Sequence, residues 1–327
     1  MHIFVQLNVT EMNTRQLYIT MFLLMVLWII FQRNNRNDER AIPVVNEKEQ
    51  LLYKGGPLLE DVLKRKSGQK YPIGLTLSGG GIKSLCHVGV LKALEEEGFR
   101  PDIISGVSAG AVVAALYADG YTPDSILSLI QNVRYTEFFR LEVPHGGLFT
   151  LTGFKEYLDT LLHATTFEEL KIPIRVVATD LDGGRSVVFE KGPLLDALVA
   201  TCSVPILFSP YMINGVNYVD GGVLMNLPAS VIRSDCNYLI GVSVGPLDTH
   251  PYEKSITNIA LRSYKFLFRS STKYDKELCD MLIEPASIAH YKGSDVMQEE
   301  VIFQIGYLET KRMLQEQRIL KASSKIK

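Results

Sequence analysis

The chain has 327 residues, 46% hydrophobic and 21% charged, with a formal net charge of −2. That length and apolar share fit a globular protein with a sizeable core, built as one large domain or two small ones. The near-zero charge excludes a basic field for nucleic acid, and Cys86, Cys202, Cys236 and Cys279, widely spaced with no C-x-x-C, read as scattered thiols of a reducing compartment, not a zinc site or a disulfide framework.

Residues 17–31 (LYITMFLLMVLWIIF) are an uninterrupted apolar run. The run is short against the roughly 17–25 residues of a spanning helix, although Gln16 and Gln32 can sit in the headgroup layer. Arg33, Arg36 and Arg40 follow it, and the positive-inside rule keeps that side cytoplasmic. The expectation is therefore a membrane anchor with the main domain inside. A barely basic lead and the lack of an A-x-A-like site speak against a signal peptide. The competing reading is an extended start, since Met12, Met21 and Met25 each offer another. Residues 34–49 are polar and charged and read as a linker. The expected plan is a hydrophobic segment and linker over 1–50, a catalytic domain over 51–253, and a helical extension packing on it over 254–327.

Residues 51–66 suit a helix leading into the domain. Residues 71–77 (YPIGLTL) predict a first buried strand, running into Ser78-Gly79-Gly80-Gly81-Ile82-Lys83-Ser84. A helix over 85–97 follows, with Leu85, Val88, Leu91 and Leu94 on one face and Gly98 as its C-cap. Residues 102–105 predict the next strand, then a sharp turn at Ser108 and a helix of small residues. This alternation predicts an α/β fold with a parallel sheet and right-handed crossovers. Residues 117–139 read as two helical pieces broken near Gly120-Tyr121-Thr122-Pro123. A strand is expected over 174–179, with a hairpin partner over 186–189 across the Asp182-Gly183-Gly184 turn. A helix over 194–202 is stopped by Pro205. Tyr218-Val219 leads into Asp220-Gly221-Gly222, and residues 238–244 predict a last buried strand. From 254 onward the pattern is helical, and the basic end, 309–327, reads as a solvated terminal helix.

Three stretches carry chemistry. Gly106-Val107-Ser108-Ala109-Gly110 has the form of a nucleophile elbow, a strand-to-helix turn that lifts one hydroxyl to the end of a sheet. Gly106 and Gly110 flank the serine because a Cβ there would crowd the turn, and the helix opening after Ser108 turns its partial positive end to the site. Gly79, Gly80 and Gly81 offer bare backbone amides to a tetrahedral oxyanion. Asp220 stands after a strand and before two glycines. If the sheet is parallel, all three meet at the carboxyl ends of its strands. A Ser-Asp-His triad is the competing arrangement, with His250 or His290 as its histidine, but neither lies in a strand-end motif. His87, inside a helix, reads as a structural histidine. His145-Gly146-Gly147 follows the elbow where an oxyanion loop would precede it, and reads as a turn. A dinucleotide cradle at Gly79-Gly80-Gly81 fails because the third fingerprint glycine is Ser84 and Asp102 precedes its strand. No nucleotide is expected.

These blocks resemble the patatin-like phospholipase family over roughly residues 72–244. Ser78 to Ser84 matches its glycine-rich block, Gly106 to Gly110 its elbow, and Asp220-Gly221-Gly222 its D-G-[AG] block. Gly147-Leu148-Phe149, Ser203-Val204-Pro205 and Asn226-Leu227-Pro228 are smaller echoes. The resemblance implies a three-layer α/β/α fold with a mainly parallel central sheet. It also implies a serine–aspartate dyad, Ser108 as nucleophile and Asp220 as base, with Gly79, Gly80 and Gly81 as the oxyanion hole. The activity implied is metal-free, cofactor-free hydrolysis of lipid acyl esters, of the phospholipase A or lysophospholipase kind, with a membrane surface as partner. The sequence departs from the family at Lys83, commonly arginine, and at Ser84, the final glycine of the block. Lys83 keeps the charge without the planar fork, and Ser84 costs stability only if its φ is positive. Competing classes are a catalytically dead, membrane-tethered lipid-binding or scaffold protein, and an acyltransferase or general esterase using the same dyad. The segment 117–165 is expected to wall the pocket.

Overall fold

The computed structural model describes residues 70–132, 140–141, 149–246, 271–291 and 297–324, with scattered positions between 254 and 270. Contacts divide the chain into two units, Met1–Val45 and Asn46–Lys327, and every described residue lies in the second. The apolar run 17–31, the linker and the helix expected over 51–66 lie outside the described residues. Among the described residues no helix is long and apolar enough to cross a membrane.

The buried strand β1 (Tyr71–Leu77) sits mid-sheet, parallel to β2 (Ile103–Val107) on one side and to β9 (Cys236–Val242) on the other. Beyond β9 lies β10 (Met281–Ile283), and beyond β2 lies β5 (Ile174–Asp180), both parallel. These runs are apolar on both faces, as a sheet covered on both sides requires. The sheet ends in antiparallel pieces. β6 (Arg185–Phe189) folds back on β5, and β7 (Tyr211–Ile213) pairs with β8 (Val216–Asp220), which pairs with β5. Asn214 and Gly215, both at positive φ, make the two-residue turn between β7 and β8. The two-stranded β3 (Arg140–Leu141) and β4 (Phe149–Thr150) stand apart from this sheet.

One sheet face, with Leu75, Leu77, Ile104, Ile240 and Val242, packs under α1 (Leu85–Glu96), α2 (Ala109–Asp119), α3 (Pro123–Gln131) and α7 (Glu299–Ser324). The other face, with Ile103 and Leu239, is closed by Leu227, Ala229, Ile232 and Leu282. α4 (Thr152–Leu161) and α5 (Leu194–Thr201) complete the cover, and α6 (Lys273–Leu278) leads into β10. The break expected between two helical pieces falls between α2 and α3, where Thr122 caps α3 by accepting from the Ser125 amide at 3.2 Å.

The C-terminal helix corrects one expectation. α7 is not a solvated appendage: Ile302, Phe303, Met313 and Leu314 are core residues, and Gln317 Nε2 donates to Tyr238 Oη beneath the helix. Its described basic side chains are paired, with Lys311 bridging Glu96 and Glu97 at 2.9 and 2.7 Å, Arg312 on Glu309 and Glu316, and Arg318 on Glu97. α7 lies so close on α1 that a Cβ on Gly89 would strike the Phe303 carbonyl, and one on Gly306 the Cys86 carbonyl.

Candidate active site

Sheet register sets the site. β6 lines one edge of β5 from Val176 to Asp180. The opposite edge is shared: β2 covers it up to Val177, paired with Val107, and β8 takes over at Ala178, paired with Asp220. β2 and β8 therefore run toward each other along one line and stop at adjacent registers. The residue after Val107 is Ser108, and the last residue of β8 is Asp220. This corrects the expected layout, in which Asp220 stood at the carboxyl end of a parallel strand. The Asn214-Gly215 turn reverses the chain, so Asp220 arrives head-on.

Ser108 holds φ +52° and ψ −133°, a conformation few non-glycine residues adopt. A strained residue of this kind costs on the order of 1–3 kcal/mol and persists only where its surroundings fix it. Here the fixing group is Thr201 at the end of α5. The Ser108 amide donates to Thr201 Oγ1 at 2.8 Å, and that hydroxyl donates onward to the Val177 carbonyl. Ser108 occupies the N-cap of α2 yet makes no side-chain cap bond, so its hydroxyl is not spent on the helix. A Cβ on Gly110 would lie 2.5 Å from the Ser78 carbonyl oxygen, and one on Gly106 2.7 Å from Ala111 Cα. Both flanking glycines are thus required by close backbone approach.

Asp220 is fully buried. Its amide donates to the Ser203 carbonyl at 2.9 Å, and its Oδ1 accepts from the Gly222 amide at 2.8 Å. Gly221 and Gly222 are buried in the turn after it. Burial pushes the Asp220 carboxyl up to about 6, opposed by the Ser108 hydroxyl and the Gly222 amide. Oδ2 completes no hydrogen bond, so the resting contact with Ser108 is looser than a formed bond, as is common before substrate binds.

The glycine loop follows β1. Gly79 lies against Ser108: a Cβ there would stand 3.2 Å from Ser108 Cβ and 2.6 Å from Asn226 Oδ1. Its amide, however, donates to the Asn226 carbonyl at 3.2 Å. The amides left to face a ligand are those of Gly80 and Gly81, with Gly81 at φ +59° and exposed. Lys83 and Ser84 fall in a 3-10 turn, Gly81–Ser84, between loop and helix. Ser84 has φ −63°, so the replaced glycine was not needed for its conformational range.

Of the histidines, His87 is buried with Nε2 2.8 Å from the Ser78 carbonyl oxygen. Burial drives it down to about 4, so it stays neutral and pins the end of β1. His290 is exposed after the edge strand β10. His145 and His250 lie outside the described residues, as do 133–139 and 142–148 of the segment 117–165 expected to wall the pocket. All four cysteines are free thiols. Cys202 neighbours Ser108 and Asp220, and its thiol is pushed up by burial and by the Asp220 charge. Thr201, Ser203 and Asn226 are the supporting residues that no chemical motif marked. The Ser203-Val204-Pro205 and Asn226-Leu227-Pro228 echoes hinted at two of them, and nothing pointed to Thr201.

A family model described as patatin-like phospholipase matches residues 75–232, the span that holds the glycine loop, Ser108 and Asp220. Relatives agree. YqhO, an uncharacterized protein of Bacillus subtilis, is 31% identical over 55% of this chain and 74% of its own. The chain belongs to the patatin-like phospholipase family. An uncharacterized NTE family protein of Mycobacterium tuberculosis is 30% identical over 64% of this chain, and the patatin-like chain spans 59% of its length. The Lysophospholipase NTE1 of Meyerozyma guilliermondii is 26% identical over 72% of this chain but only 19% of that protein. In structure, VipD from Legionella pneumophila superposes with a TM-score of 0.52 at 17% identity, covering 77% of this chain and 69% of that one. This likeness agrees with the mostly parallel α/β sheet.

Proposed function

We propose that this patatin-like protein hydrolyses lipid carboxylic esters, as a phospholipase A or lysophospholipase, through Ser108 and Asp220. The observation that carries this reading is the head-on meeting of β2 and β8, which sets a strained serine against a buried carboxylate. Ser108 Oγ attacks the ester carbonyl carbon while its proton passes to Asp220 Oδ2. The carbonyl oxygen becomes an oxyanion facing the amides of Gly80 and Gly81, in a place where one such donor is typically worth about 10²–10³ in rate. Collapse expels the alcohol, which takes the proton from Asp220, and leaves an acyl-serine. Water then attacks this ester by the same proton route and frees the fatty acid. The family membership and the naming of a relative as a lysophospholipase support lipid as the acyl source. We also propose that residues 17–31 hold the protein at a membrane with this domain on the cytoplasmic side.

The test is labelling with a fluorophosphonate ester, which reacts with activated serines, alongside turnover of a fatty-acyl ester. Wild type is expected to label and to turn over. Ser108→Ala loses both, and Asp220→Asn slows both by on the order of 10²–10⁴, the range of a general base. A folded Asp220→Asn protein with wild-type turnover overturns the dyad.

A further inference from the structure

Two buried side-chain oxygens at this site have no hydrogen-bond partner: Asp220 Oδ2 and Asn226 Oδ1. Asp220 is fully buried and Asn226 is 4% exposed. An orphaned buried acceptor is costly, and two in one site call for a reason. They converge. A Cβ on Gly222 would stand 2.7 Å from Asn226 Oδ1 and 3.0 Å from Asp220 Oδ1. On the other side, the open face of Gly79 meets both Asn226 Oδ1 and Ser108 Cβ. The Asn226 carboxamide is thus lodged between glycine loop, nucleophile and base. Its backbone is held at both ends, the carbonyl by the Gly79 amide at 3.2 Å and the amide by Ser271 Oγ at 3.1 Å.

An ionised carboxylate and an amide oxygen are both acceptors and cannot bond to each other. What satisfies both is a donor with two hydrogens. The reaction supplies one at a single stage, the attack of water on the acyl-serine. We propose that Asn226 is a positioning residue for that water, its Oδ1 and Asp220 Oδ2 each accepting one of the two O–H bonds, so that Asn226 favours water over other acyl acceptors. This rests on the dyad reading above. In the step, the water oxygen bonds to the acyl carbon and one proton moves to Asp220 Oδ2. The C–O bond to Ser108 then breaks, and Ser108 Oγ takes that proton back. The second hydrogen, held by Asn226 Oδ1, leaves on the carboxylic acid. An alcohol acceptor has one O–H, which Asp220 takes, so it gains nothing from Asn226.

The experiment measures, in aqueous methanol with a p-nitrophenyl fatty-acyl ester, the ratio of methyl ester to free acid formed. This ratio reports only the active molecules, so partial misfolding leaves it unchanged. Asn226→Leu is expected to raise the ratio about tenfold, the value of one hydrogen bond, while fluorophosphonate labelling of Ser108, which needs no water, stays within about twofold. Asn226→Asp, which keeps an acceptor oxygen, is expected to retain the wild-type ratio. An unchanged ratio in Asn226→Leu overturns the proposal. So does loss of labelling and turnover together, which would place Asn226 in support of the nucleophile instead. Failure of the dyad reading is a separate result: it appears as wild-type turnover in Asp220→Asn, whatever the product ratio of the Asn226 variants.

Discussion

At the scale of single residues, the site spends stability to hold reactive groups. Asp220 is raised from 3.8 to about 6 by burial. Between those values the folded protein holds a proton that the unfolded chain has released, so stability falls as pH rises through this window. The charged form is thereby destabilised by about 3 kcal/mol at neutral pH. Asp220→Asn is expected to melt higher than wild type at pH 7, with the difference vanishing near pH 4, as followed by thermal denaturation across pH. Over the same range wild-type kcat/KM should fall with a one-proton slope below about pH 6, since the base must be ionised. Thr201→Val is the second residue-scale case. It keeps the volume but orphans the Ser108 amide and the Val177 carbonyl, at about 1–3 kcal/mol for an unpaired buried group. A lower urea midpoint with weaker serine labelling is expected, and Thr201→Ser should restore both. The candidates Ser108, Asp220 and the glycines stand out in the sequence because they fall in short motifs. Thr201 does not, because a threonine closing an apolar helix looks like any other until the fold sets it under the elbow.

At the scale of elements, the strands and helices of the βα units were legible from apolar runs ended by glycine, since burial on both faces leaves little room for polar residues. The direction of β8 was not read, although Asn214-Gly215 is the residue pair that a two-residue hairpin favours. Missing it left Asp220 on a strand taken as parallel, when β8 runs antiparallel to β5. The C-terminal extension was expected to pack on the domain, but its end, 309–327, was read as solvated because its charges, counted along the chain, look so, whereas Lys311 and Arg318 lie against Glu97 at the C-cap of α1. The glycine notches at Gly89 and Gly306 set how closely α1 and α7 approach, and backbone carbonyls cannot swing aside as side chains can. Gly306→Ala is expected to cost about 1–3 kcal/mol, as overpacking does, seen as a lower urea midpoint at unchanged slope. A shift below about 0.5 kcal/mol, the range of an ordinary surface change, would mean that the crossing is held elsewhere.

At the scale of the whole molecule, the described residues are built on one eight-stranded sheet, with Ser108 and Asp220 where two of its strands meet, and they fall in the second of two units, Asn46–Lys327. Whether residues 17–31 act as an anchor is a property of the full chain. Membrane fractionation of the full chain against a chain starting at Asn34 is expected to move the protein from the membrane to the soluble fraction, and equal distribution would rule the anchor out. The placing of β1 has one more consequence. Its neighbour on one side, β2, is made soon after it, but Tyr71 on its other edge waits for Cys236. During synthesis an apolar strand bearing Ile73, Leu75 and Leu77 therefore stands with an open edge while most of the domain is still to come. Such an edge invites pairing with another nascent chain, and closing it late makes for slow, nonlocal folding. The strand that feeds the glycine loop is thus also where this protein is most exposed to aggregation before it is finished.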